Sequence, residues 1–112
     1  MLNPSEKRHF DRVATQRPIF IQKDHQSVQG KMLDLSENGI GILSPEPVER
    51  GEKVSVKFSL PSLNRAYIQL EGIIIHITSV REQYLIGFQF TNLPIHTQSL
   101  IAEFIRQHHR FD

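Results

Sequence analysis

Lys7-Arg8-His9-Phe10-Asp11-Arg12 sets two guanidiniums four residues apart in a short cationic cluster. Twenty-two residues after Arg12, Asp34-Leu35-Ser36-Glu37-Asn38-Gly39 brings a carboxylate, a hydroxyl and a turn glycine together. The two segments are complementary recognition parts. An Arg fork takes a phosphate, or the O6/N7 edge of guanine, with two hydrogen bonds and can stack on a base face. A carboxylate is an acceptor pair that matches the N1–H and N2–H donors of a guanine Watson–Crick edge, and a serine hydroxyl both donates and accepts. Gly39 lets the backbone reverse and approach a ligand with no Cβ in the way.

Charge limits what such a site could serve. The 112 residues carry 13 Lys plus Arg against 12 Asp plus Glu, a formal +1 with six neutral His. Coating DNA or RNA non-specifically requires a clear cationic excess, so the composition argues against it, and any phosphate site must be local. The balanced total hides an asymmetry. Residues 1–31 hold six Lys or Arg and three acids, a local +3, and the remainder carries −2. That concentrated cationic front suits a small dianion better than a polymer.

Other classes are disfavoured. Without cysteine there is no disulfide framework, no thiolate nucleophile and no cysteine-ligated zinc. No stretch approaches the ~20 apolar residues that cross a bilayer, and the first residues lack the layout of a signal peptide, so membrane insertion is not expected and a cytoplasmic location is. His108 and His109 are adjacent rather than spaced i, i+4, so no metal site and no cofactor are expected. His9, Asp11 and Ser36 do not make a hydrolytic triad: no nucleophile elbow surrounds the serine, and the first two lie in a terminal arm. An enzyme is the least favoured reading.

The elements that must position the candidate residues are mostly strands. Residues 1–12 have no sustained period and read as an arm. Residues 13–112 read as one domain, of a length that buries a core without staples. Ile19-Phe20-Ile21, Val28 to Leu35 and Ile40 to Leu43 read as strands, with a left-handed turn expected at Asn38-Gly39. Val54, Val56, Phe58 and Leu60 alternate with polar residues as on a strand with one wet face. Tyr67 to Thr78 is a long strand, expected to be buried on both faces at Ile73-Ile74-Ile75 and to bulge at Gly72. Glu82-Gln83 is the expected hairpin before Tyr84, Ile86, Phe88 and Phe90, which share one face. From about 94 to 110 the period becomes helical, with Leu100, Ile101, Phe104, Ile105 and His108 on one stripe and Pro94 in the first turn. The fold class is thus mainly β: six short strands in an antiparallel barrel or sandwich and a C-terminal α-helix.

Arg8-x-x-x-Arg12 followed by Asp34-x-Ser36-x-x-Gly39 resembles the paired RxxxR and (D/N)xSxxG motifs of the PilZ domain, a bacterial receptor module for the second messenger cyclic di-GMP. The later chain resembles it too, through Gly51 before Val54-x-Val56-x-Phe58, the last strand Ile86-Gly87-Phe88-Gln89-Phe90 and the closing helix. The resemblance implies a six-stranded antiparallel PilZ-like β-barrel with a C-terminal helix. It implies that Arg8 and Arg12 grip phosphates and guanine edges, that Asp34 and Ser36 hydrogen-bond a guanine and that Gly39 shapes the turn. Lys7 holds a position that in the family bears on whether one or two stacked ligand molecules bind, and a second cation there favours the doubled ligand. The implied role is a non-enzymatic cyclic di-GMP receptor whose N-terminal arm orders on the ligand and is read by an effector protein that the sequence does not identify. Leftover apolar surface on the helix leaves self-association as a homodimer open. The rival readings are a protein-interaction barrel acting without nucleotide, which would tend to lose these motifs, and a single-strand-binding barrel, which would need exposed aromatic platforms.

Overall fold

The computed structural model describes residues 12–61 and 66–109. Seven strands, β1 (Val13–Ala14), β2 (Pro18–Lys23), β3 (Gln26–Leu35), β4 (Gly39–Ser44), β5 (Lys53–Ser59), β6 (Tyr67–Val80) and β7 (Gln83–Phe90), precede one helix, α1 (Ile95–His109). All pairings are antiparallel. The order β3-β2-β5-β6-β7-β4 closes on itself through a β3–β4 pairing, giving a six-stranded barrel. β1 is an extra two-residue strand that the sequence does not announce. It runs beside β3 in line with β2, pairing Val13 with Leu35 and Ala14 with Asp34.

Alternation builds the core. In β5, Val54, Val56 and Phe58 point inward between half-exposed polar residues, and Leu60 is fully buried just beyond. Ile19, Ile21, Met32, Leu35, Ile40, Ile42, Ile86 and Phe88 complete the barrel interior. α1 adds Ile101, Phe104 and Ile105 to the same cluster and rests against β1. The Pro94 carbonyl accepts the first helical hydrogen bond, from Gln98 N–H at 2.8 Å, so Pro94 sits just before the helix, where its missing N–H leaves nothing unpaired.

Several local expectations are corrected. Gly72 keeps its register, between Val54 and Phe90; the break in β6 falls between Ile74 and His76. Gly72 is instead a point of close approach, where a Cβ would lie 2.4 Å from the Phe88 ring and 2.3 Å from the Gln89 carbonyl oxygen. Of Ile73-Ile74-Ile75 only Ile74 is fully buried: alternation from Ile68 and Leu70 puts Ile74 inward and its two neighbours outward, and the bulge then turns His76 outward as well. The β6–β7 hairpin turns on Arg81-Glu82, with Val80 opposite Gln83. Both turn residues have positive φ, 53° and 54°, as do Asp24 and His25 in the β2–β3 hairpin. Two-residue turns with φ > 0 at both positions match the twist of the flanking strands, and here that geometry is imposed on residues other than glycine.

Candidate nucleotide-binding groove

Strand pairing carries Arg12 to Asp34. β1 continues Arg12 into the register that sets Ala14 opposite Asp34, and the Arg12 guanidinium forms an ion pair with the Asp34 carboxylate. Asp34 also accepts a hydrogen bond from the Gly41 N–H at 3.1 Å, which fixes the carboxylate against β4. Arg12 is about half exposed and Asp34 about one third, so both remain open to solvent.

The Ser36–Gly39 turn is held by one hydroxyl. Ser36 Oγ accepts from Asn38 N–H at 3.2 Å and from Gly39 N–H at 3.1 Å, and donates to the Gly39 carbonyl at 3.2 Å. These bonds use the full capacity of a hydroxyl. Ser36 is buried and its hydroxyl is engaged by the turn itself. Neither Asn38 nor Gly39 adopts the left-handed conformation expected of them. Glycine is needed at position 39 because a Cβ there would lie 2.1 Å from the Phe88 carbonyl oxygen. Ser36 and Gly39 thus shape the platform that presents Asp34. Lys7 and Arg8 lie outside the described residues, with His9 and Asp11.

Arg12 and Asp34 stand at one bank of a groove of about 350 Å³ on the outer barrel wall, within the range of small-molecule sites. The groove crosses four strands. Asp34 faces Gly41, Gly41 faces Gly87, and Gly87 faces His76, with Ile75 beside it. Gly41, Gly87, Ile75 and His76 were not singled out from sequence as site residues. Their only early signal was a glycine inside each of two apolar strand runs, Ile40-Gly41-Ile42 and Ile86-Gly87-Phe88, which marks close approach of a ligand or backbone.

No group of three or more His, Asp or Glu among the described residues could hold a metal ion, and the His108 ring bonds the Phe104 carbonyl at 2.9 Å. No described helix is long and apolar enough to cross a membrane. Arg17, one of the six cations of residues 1–31, ties the break between β1 and β2 to the end of β5, its Nε–H donating to the Ser59 carbonyl at 2.7 Å.

The chain is a closed six-stranded barrel with a cation and a carboxylate beside a groove on its outer wall. Residues 6–107 match the PilZ domain, and the chain belongs to that family. An uncharacterized protein of Aquifex aeolicus is 30% identical over 101 residues, which are 89% of this chain and 48% of that protein. The barrel is similar to that of the Bacillus subtilis inhibitor of motility MotI/DgrA, with a TM-score of 0.81 and 14% identity over 90% of this chain and 50% of that one. It is also similar to the PilZ domain of YcgR from Escherichia coli, solved with cyclic di-GMP, with a TM-score of 0.69 and 16% identity over 89% of both chains. The chain spans about half the length of the Aquifex and Bacillus proteins.

Proposed function

We propose that this domain is a receptor for cyclic di-GMP, bound on the outer barrel wall by Arg8, Arg12 and Asp34, with Ser36 and Gly39 holding the turn that presents the carboxylate. The carrying observation is the meeting of Arg12 with Asp34, 22 residues apart in sequence, at the mouth of the groove. The family and the cyclic di-GMP in the YcgR structure support the same ligand. The chemistry is favourable. Opening a half-exposed ion pair costs only about 0–1 kcal/mol. Each charge-assisted hydrogen bond made to the ligand in its place is worth roughly 1.5–3 kcal/mol. The domain acts by binding rather than catalysis. Residues 1–12 close over the ligand as an arm against the 13–112 barrel and give an effector protein a new surface, with Lys7 favouring two stacked ligand molecules.

Calorimetric titration of the folded domain with cyclic di-GMP is expected to release heat with defined stoichiometry, and the affinity falls with salt because the ligand is anionic. Arg12→Ala and Asp34→Ala are each expected to weaken binding by about 10- to 150-fold, the equivalent of one such bond, with unchanged circular dichroism. No heat at high micromolar ligand would overturn the receptor reading in favour of a nucleotide-independent interaction module.

A further inference from the structure

Two β-bulges face each other across the groove. In β3 the register shifts between Met32 and Asp34, and in β6 between Ile74 and His76. Each bulge sets two residues against one on the partner strand, and in both the single partner is a glycine, Gly41 or Gly87. Leu33 and Asp34 therefore leave the inward phase of β3 together, as Ile75 and His76 do in β6. Gly41 and Gly87 are themselves register partners on the adjacent strands β4 and β7.

The result is a strip that carries no side chains of its own and is overhung from both banks, by Asp34 at Gly41 and by Ile75 and His76 at Gly87. Three strand spacings separate Asp34 from His76, roughly 14 Å, and the two intervening positions carry no side chain. A Cβ on Gly87 would lie 3.3 Å from Ile75 Cγ1 and 3.4 Å from His76 Cδ2, so these side chains close over the strand where another would stand. On the other bank a Cβ on Gly41 would lie 2.9 Å from Asp34 Oδ1. An acceptor pair at one end of the strip and a planar imidazole at the other suit a flat heteroaromatic ring, entering between the banks, with N–H donors on one edge.

We infer that His76 and Gly87 complete the site: a guanine base of the ligand lies on the Gly41–Gly87 floor, directs its N–H edge to Asp34 and stacks against the His76 ring. This rests on the cyclic di-GMP reading and deepens it, because it assigns base recognition to β6 and β7, outside both sequence motifs. Gly87 is the gate, since any side chain there displaces the Ile75–His76 bank and fills the floor.

The test is calorimetric titration of the wild-type chain, His76→Ala, His76→Phe, Gly87→Val and Asp34→Ala with cyclic di-GMP, with thermal melts of each. His76 is exposed, so His76→Ala is expected to melt as wild type. It should bind about 5- to 30-fold more weakly, the loss of one base stack, and His76→Phe should recover affinity to within about threefold. Gly87→Val should bind less well than His76→Ala. In the wild type, the histidine ring resonances that vanish in His76→Ala should move upfield on saturation with ligand. His76→Ala binding as wild type while Asp34→Ala loses affinity would overturn the inference and leave the receptor reading standing. His76→Phe binding as weakly as His76→Ala would overturn the stacking role. A folded wild type that does not bind overturns both.

Discussion

One half of this barrel is a regular wall and the other carries a groove. Across β2, β5 and the first half of β6 the registers run without a shift, and inward and outward residues alternate throughout β5. Its outer face is filled by side chains: Phe20 meets Tyr67 edge-on with ring centroids 6.5 Å apart, and Lys57 Nζ lies 5.2 Å from the Tyr67 ring centroid. Across β3, β4, β7 and the second half of β6, two bulges interrupt the registers and two neighbouring outward positions are glycine. Regular alternation stabilises the barrel and covers its outer face around Phe20, Lys57 and Tyr67 with side chains. The bulged half gives up side chains to make a groove, and the regular half carries the packing that tolerates it.

Substitutions should separate the two halves. Phe58 is fully buried in the regular half, and Phe58→Ala should destabilise the fold by about 3–5 kcal/mol in urea unfolding. The affinity of the remaining folded fraction should be unchanged; a selective loss of affinity would show that the halves are not separable. Gly72→Ala drives a Cβ into the Phe88 ring and the Gln89 carbonyl, and should cost about 1–3 kcal/mol by overpacking.

At the barrel end, Lys23 pairs with Glu52. The hydrogen bond from Lys23, and then that from the Glu49 N–H, hold the Glu52 carboxyl below its ordinary value of 4.5. The unfolded chain therefore takes up the proton first as pH falls, so this stabilisation is present above about pH 4.5 and is lost as pH drops through the lower folded value. Glu52→Gln should flatten that acid limb in melts taken between pH 6 and roughly pH 3.

The smallest expected effect is a gain. Glu82 holds φ at 54°, and Glu82→Gly relieves that strain at some cost in unfolded-state entropy. A net stabilisation of about 0.5 kcal/mol should appear in urea unfolding, with ligand affinity unchanged.

The same contrast explains what could be read without a structure. β5 was legible because Val54, Val56, Phe58 and Leu60 follow one rule, and α1 because Ile101, Phe104 and Ile105 follow another. The bulged strands follow neither. In β6 the alternation of Ile68, Leu70 and Ile74 breaks at the bulge, and nothing in side-chain chemistry says that His76 turns outward after it, since that is set by how β6 pairs with β7. Both tight hairpins lack the Asn or Gly that would announce them. Of the site, Arg12 and Asp34 could be named from their motifs, whereas Gly41, Gly87 and His76 come from three strands and form a row only once the barrel closes. Ser36 and Gly39 were found for their pattern, yet hydrogen bonding and close packing give them the task of holding the platform.

Arg12 and Val13 are neighbours with opposite surroundings. The guanidinium stands in solvent beside the groove, and the Val13 side chain is wedged into the core in the strand on which α1 rests. A ligand that drew on Arg12 would act one peptide unit away from the strand on which the helix rests. Groove and helix thus meet at two consecutive residues, the second of them held by the two-residue pairing of β1 with β3.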